Sequence, residues 1–523
     1  MKQALKRILF FLTVVGIVTA TGWLTMDDGG FTANGLALLE RAYEVQSERP
    51  EERSQWAAFD QSRPPAQMLL PWFGSVSSDV GGALDRTTMA GALALALAMG
   101  LVGLAAWRLG GFSVGLLAVV LLFFAPGTLF YARTFGAETM ITLSTAFLLW
   151  VSTHNRDTWH HGLWATAACL LAITASHDGL LLLIPWVMAA FALSWRNADA
   201  SKSRGTLALG AIAPATIIPL IAAPLLLFLI WPHLHVQGGE RLLQWVTEFY
   251  RTSYPPVVIV GQIINPALDG ANPGFWDGLF GVLGRIPLAV LALTALGGFR
   301  VVRAIRQQTF VARGSFALFG LSTLVLLASL NGGTFYADTD ALLPMWPFLA
   351  VLSALGIRDL CRALAARLVK GKASARHWVF VLLATVCVGP TIVAFVSCYP
   401  MESHYQNGAV RAVNHQSKAA TQLNPSVYVP RRSILWINQH MGTNDVRLGS
   451  AVASERFRPF LRRLIRFGQL PSGFDTAESF DATHLWVPYL PAEPLFEDVL
   501  EQWREPVYEY VHRGIRYVSL HPR

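Results

Sequence analysis

Between residues 8 and 398 the chain is a succession of apolar runs, each close to the length a helix needs to cross the hydrocarbon layer of a bilayer. A run of that kind has no water to satisfy its backbone, so it must bond internally and form a helix. At roughly twenty residues per crossing, about eleven spans are predicted. They are Ile8 to Met26, Thr88 to Trp107, Phe112 to Tyr131, Ala137 to Val151, Gly162 to Ser176, Gly179 to Trp195, Thr206 to Trp231, Leu279 to Gly297, Ser315 to Leu330, Ala341 to Ile357 and Trp378 to Cys398. Only 14% of the 523 residues are charged, against roughly 25% in an average soluble chain, and the mean hydropathy is +0.42. That composition excludes a disordered, nucleic-acid-binding or disulfide-scaffold protein. The fold class expected is a polytopic α-helical membrane protein.

Basic residues gather in alternate connections: the N-terminal tail, the turn at Arg108, His154 to His161, Arg196 to Gly205, Arg300 to Arg313 and Arg358 to Arg376. By the positive-inside rule these are cytosolic, and an odd number of spans then puts the N-terminus inside and the C-terminus outside. Cys169, Cys361, Cys387 and Cys398 form no CxxC pair and are expected to be inert.

Two polar segments, 27–86 and 232–278, fall on the outer side. In the second, Leu242, Trp245, Val246 and Phe249 share one face of a helix expected to lie flat in the interface. Residues 1–398 make a membrane domain, and 399–523 change to mixed charge, enough for a small extracytoplasmic α/β domain. Its expected elements are a helix in RRSILWINQHM, strands in VRLGSAVA and HLWVPYL, a helix in LFEDVLEQW, and a hairpin about His512-Arg513-Gly514. Pro214, Pro219 and Pro224 each remove a backbone donor from the seventh span, which is expected to bend.

Chemistry-bearing residues collect on the outer side. Asp27 and Asp28 sit where the first span leaves the membrane; adjacent, partly desolvated carboxylates raise one another's pKa, which suits a general base or a metal ligand, while an ordinary helix exit has the same look. Arg63 precedes Pro64-Pro65, a stiff backbone from which a guanidinium can address a phosphate, or which makes a simple surface turn. Arg133 and Glu138 flank the mouth of two spans, either as functional charges or as an ion pair orienting the turn. His177, beside Asp178, follows the fifth span with almost no loop, and either meets a phosphate or caps the turn. His233 and His235 are a less favoured ligand pair.

Taken in order, an acidic pair after span one, an x-Pro-Pro before span two, Pro then R-x4-E around the third and fourth spans, and a basic residue ending span five resemble the GT-C glycosyltransferases. The protein mannosyltransferase and aminoarabinose transferase branch is the most similar. The likeness covers roughly residues 1–360 and includes LLPMWPFLAVLSALGI with Pro344 and Pro347. It implies Asp27, Asp28 and Glu138 as catalytic acidic residues, and Arg63, Arg133 and His177 as contacts to a lipid phosphate. It also implies a polyprenyl-phosphate sugar as donor, a glycan, lipid or protein as acceptor, and an inner-membrane location. No cofactor is required, and a divalent cation on the three carboxylates is compatible with the chemistry. The chain departs from the pattern in carrying Glu138 where Asp is commoner, Asp28 where mannosyltransferases have Glu, and Tyr336 to Ala341 where relatives have Arg-Tyr. A different class, a transporter or flippase for a lipid-linked sugar, remains open, as does an assembly subunit with a decayed site. Against a transporter, the charges gather at one face instead of the midplane.

Overall fold

The computed structural model describes residues 2–25, 30–32, 36, 39–40, 65–66, 69–70, 73, 82–134, 138–153, 159–175, 214–231, 234, 240, 243, 257–259, 262–264, 283–306, 320, 342–369, 373–399, 428–441, 446–450, 454–471, 474–476, 482–488, 503–512 and 515–522. The helices are α1 (Lys2–Leu24), α2 (Ala83–Gly110), α3 (Phe112–Phe123), α4 (Thr128–Arg133), α5 (Glu138–Ser152), α6 (Trp159–Ala175), α7 (Pro214–Ile230), α8 (Leu288–Arg306), α9 (Trp346–Leu368) and α10 (Ala373–Cys398), followed by α11 (Arg431–His440) and α12 (Ser454–Arg466). The strands are β1 (Gly30–Thr32), β2 (Val257–Ile259), β3 (Gln262–Ile264), β4 (Tyr428–Pro430), β5 (Arg447–Ser450), β6 (Asp475–Thr476), β7 (His484–Pro488), β8 (Tyr508–His512) and β9 (Ile515–Pro522).

Among the described residues, α1, α2 and α10 contain stretches long and apolar enough to cross a membrane, and α3, α5, α6 and α7 hold shorter apolar stretches. The outward faces of α1 (Leu5, Ile8, Leu9, Leu12, Ile17) and α10 (Trp378, Leu382, Val386, Val393, Val396) are large, apolar and uncovered, the signature of helices whose solvent is lipid. Helix α2 is instead buried along most of its length, packed by α1, α3, α5 and α4. The spans expected at Gly179 to Trp195 and, except for Gly320, at Ser315 to Leu330 lie outside the described residues.

Several expected boundaries are corrected. The third span stops at Phe123, because Pro126 and Gly127 turn the chain and Tyr131 belongs to the separate helix α4. The eighth is described as a helical piece at 283–285 followed, past Pro287, by α8, while 279–282 lie outside the described residues. Helices α8 and α9 run on to Arg306 and Leu368 through residues expected to be connections. They lie parallel in close contact, Arg300 pairs with Asp359 across them, and Arg, Ala and Leu are good helix formers. The seventh span is described from Pro214 to Ile230 as α7, with Pro219 and Pro224 inside one helix packed on α6, and residues 206–213 lie outside the described residues.

The α8–α9 crossing is a small-residue contact. Ser353 shares a hydrogen bond of 2.8 Å with Thr294 and donates to the Val290 carbonyl at 3.2 Å. A Cβ at Gly297 would run into the Leu352 carbonyl, and one at Gly356 into that of Leu293. Such close backbone approach is how helices associate where lipid removes the hydrophobic drive. Overpacking here costs at least about 1–3 kcal/mol. Gly297→Val and Gly356→Val are therefore expected to lower the thermal midpoint of the detergent-solubilised chain by several degrees, read from tryptophan fluorescence; unchanged midpoints refute the crossing.

The two ends of the helical layer differ in charge. At one, Phe10, Trp107 and Phe112 form an edge-to-face cluster with centroids 5.2–5.7 Å apart. There Arg358 donates to the Gly110 carbonyl at 2.8 Å, and the Arg108 guanidinium lies 5.3 Å from the Trp150 ring centroid. Arg300, Arg358 and Arg376 with the N-terminal Lys2, Lys6 and Arg7 all belong to this basic end. At the other end lie the exit of α1, the entry of α2 and helix α4.

The C-terminal sheet has the order β6-β5-β7-β9-β8. β5 runs parallel to β6 and β7, and β9 is antiparallel to β7 and β8, with a bulge at Tyr510/Val511. α12 packs on β5 and β6 through Phe460, Leu461 and Leu464. The helix, the two strands and the hairpin expected from RRSILWINQHM, VRLGSAVA, HLWVPYL and PVYEYVHRGIRYVSL are α11, β5, β7 and β8–β9. The helix expected in LFEDVLEQW lies almost wholly outside the described residues. Strand β4 pairs with β1 instead, which joins the region beyond α10 to the loop after α1.

Candidate functional site

The turn between α3 and α4 is built to bring one arginine inside. Gly127 has φ 89°, a left-handed conformation natural to glycine, and Pro126 before it blocks continuation of α3. The Thr128 hydroxyl faces two carbonyls, Ala125 at 2.9 Å and Leu122 at 3.0 Å, and so locks the reversal. All six residues of α4 are buried. Close packing continues on α2, where a Cβ at Gly91 would come within 2.6 Å of the Ala132 carbonyl oxygen. Helix α1 touches α4 as well.

Arg133 ends α4 with 1% of its surface exposed. Its guanidinium lies over the ring of Tyr399, 4.8 Å from the centroid. Tyr399 stands directly after α10, and Phe395 one turn earlier packs on Tyr399, Phe124 and Phe123 with centroids 5.4–6.4 Å apart. Helix α10 and the residue after it thus set an aromatic wall against the α3–α4 turn. Holding a cation inside apolar protein is costly unless its charge is used or compensated. Tyr399 carried no signal in the sequence, because an aromatic at a span end reads as an interface anchor.

Of the other expected residues, Asp27, Asp28, Arg63 and His177 lie outside the described residues, as do His233 and His235. Glu138 is the first residue of α5, five positions past Arg133 at the same end of the layer; its side chain is outside the description. The chain is described on either side of the acidic pair, in α1 up to Leu24 and in β1 from Gly30. Among the described residues no three His, Cys, Asp or Glu side chains gather as metal ligands. The three carboxylates expected to hold a cation are not described there.

The C-terminal region meets this same end. Arg431 donates to Asp85 Oδ1 at the start of α2 from both Nη atoms, each at 3.2 Å. Arg463 Nε donates to Glu40 Oε2 at 2.7 Å and Arg466 Nη1 to Glu40 Oε1 at 2.8 Å. Burial by itself pushes the Glu40 carboxyl up, but the hydrogen bonds and charges of the two arginines outweigh it and hold the group below its usual range. A carboxyl held low stabilises the folded contact at every pH above the ordinary carboxylate range, and the contribution is lost as pH falls through the depressed value. Protease protection of the loop after α1 is therefore expected to be flat above about pH 5 and to fall only below the usual range of a glutamate; Glu40→Gln is expected to remove that acid transition.

No family model matches the chain, and no curated protein is found to match it. Solved structures similar to it include ArnT from Cupriavidus metallidurans in the apo state, 14% identical over 99% of this chain and 98% of that one, with a TM-score of 0.49. The same protein bound to undecaprenyl phosphate is 14% identical over 98% and 97%, TM-score 0.47. The oligosaccharyltransferase AglB from Archaeoglobus fulgidus, in complex with an inhibitory peptide and a dolichol-phosphate, is 11% identical over 97% of this chain and 74% of that one, TM-score 0.47. At these values the likeness assigns no residue a role.

Proposed function

We propose that this chain is an integral membrane glycosyltransferase that moves a sugar from a polyprenyl phosphate to an envelope glycan, lipid or protein acceptor on the extracytoplasmic side. In this reading residues 1–398 form the membrane domain and 399–523 the extracytoplasmic domain, with the basic end of the helical layer cytosolic. The observation that carries the proposal is Arg133: a guanidinium 1% exposed, on a purpose-built short helix, at the end of the layer where the chain leaves α1 toward the acidic pair.

The chemistry follows from the charges. As the bond between the sugar and the phosphate breaks, negative charge grows on the departing phosphate, and Arg133 with Arg63 and His177 stabilises it. An acceptor hydroxyl or amine attacks the anomeric carbon from the opposite face, so the configuration inverts. Asp27 or Asp28 takes the acceptor's proton, and Glu138 contributes a third carboxylate near the reacting centre. A phosphate is already a good leaving group, so no step requires a metal.

The test is transfer by the full chain in nanodiscs, with undecaprenyl phosphate carrying mannose or aminoarabinose as donor probes and release of undecaprenyl phosphate as readout. Release that depends on Arg133 and on the acidic pair supports the reading. Movement of the lipid-linked sugar across the bilayer without release would make the chain a flippase. Mass spectrometry of envelope lipids and glycans from a deletion strain then names the decoration that is lost.

A further inference from the structure

The first outer loop is held by the C-terminal region at two places that bracket a short stretch of chain. Just beyond Asp28, β1 pairs with β4, matching Gly30 with Pro430, Phe31 with Val429 and Thr32 with Tyr428. Further along, Glu40 spends one carboxylate oxygen on Arg463 and the other on Arg466, both from the last turns of α12. Leu36 and Leu39 between these points are 0% exposed, as is Val429 on β4. A two-stranded ribbon of three residues is too short to persist alone, and a partly exposed ion pair is a weak tie by itself. Buried leucines between them make the two act as one clamp.

The clamp's position matters more than its strength. Asp27 and Asp28 fall in the few residues between Leu24, fixed at the end of α1, and Gly30, fixed on β4. The chain between these anchors spans at most about 20 Å, so moving the second anchor changes where the carboxylates can lie. We propose that the C-terminal region positions the acidic pair, with Glu40, Arg463 and Arg466 as positioning residues; this rests on the glycosyltransferase reading above. Residues of the terminal domain then set the geometry of groups that reach the acceptor, without touching it themselves.

Misplacing a general base costs turnover and leaves donor binding intact. Glu40→Gln and Arg463→Gln are each expected to lower kcat by roughly tenfold or more, with the KM for the undecaprenyl-phosphate sugar unchanged within about twofold. The exchange Glu40→Arg with Arg463→Glu and Arg466→Glu is expected to recover part of the loss. A second readout uses no substrate: in the full chain with its four cysteines replaced by alanine, Phe31→Cys and Val429→Cys stand opposite each other on β1 and β4 and are expected to form a disulfide under mild oxidation. Glu40→Gln is expected to slow that closure several-fold, and the closed disulfide to restore kcat to the Glu40→Gln variant until it is reduced.

Failure of the disulfide to form in a monodisperse chain of unchanged thermal midpoint overturns the clamp. Unchanged kcat in both Glu40→Gln and Arg463→Gln overturns the positioning role. A disulfide that forms in a chain whose wild type releases no undecaprenyl phosphate overturns the glycosyltransferase reading, and the catalytic side of this inference with it.

Discussion

Replacing Arg133 by Gln is expected to lower turnover of the lipid-phosphate sugar by about 100- to 1,000-fold, the range seen when one preorganised donor to a developing anion is removed. The expectation rests on where the guanidinium sits. It is buried behind the α3–α4 turn and backed by the Tyr399 ring at 4.8 Å, so water has no easy route to replace it. Arg133→Lys keeps the charge but gives up the planar stacking on Tyr399 and the fork of donors, and is expected to retain only a few per cent of activity. Tyr399→Leu keeps apolar bulk and is expected to reduce kcat several-fold through looser placement of Arg133. Thermal midpoints measured beside the rates separate lost chemistry from lost packing. If Arg133→Gln folds and retains wild-type turnover, the phosphate is held elsewhere and the reaction scheme fails.

The second large effect is expected at the acidic pair. Asp27→Asn and Asp28→Asn each remove a carboxylate while keeping size, and loss of a general base typically costs about 10²- to 10⁴-fold. One of the two is expected to show that loss and the other a smaller one, because adjacent carboxylates do not share a single proton-acceptor role equally. The double variant is expected to be little worse than the more severe single one, since groups acting as a unit are strongly non-additive. Rates across pH add a sign: activity should rise as the base loses its proton and should lose that rise in the severe variant. Full activity in both single variants would remove the mechanism.

The chain of apolar runs made the membrane class legible, because a bilayer leaves a long apolar segment no choice but helix. The same physics explains the errors at the ends. Hydropathy counts apolar residues, but a helix stops where its backbone bonds stop. Pro126-Gly127 ends α3 inside what reads as one run, and the Arg300–Asp359 pair lets α8 and α9 continue through charged sequence. Within the candidate site, Arg133 was visible because an arginine at membrane depth is expensive. Tyr399 was not, since its role depends on α10 returning beside α4, a pairing of residues far apart in the chain.

By itself the sequence determined the class of solvent, the existence of most helices, the strand-and-helix pattern beyond residue 428, and which residue types carry charge where charge is costly. Each is a local property, set by a window of a turn, a strand or a span. Tertiary structure alone decided that the loop after α1 is grasped by the C-terminal region, through β1 on β4 and Glu40 on Arg463 and Arg466. Those contacts join residues hundreds of positions apart, and a three-residue strand or a single carboxylate has no local signature; its partner is fixed only when the helices between them have packed.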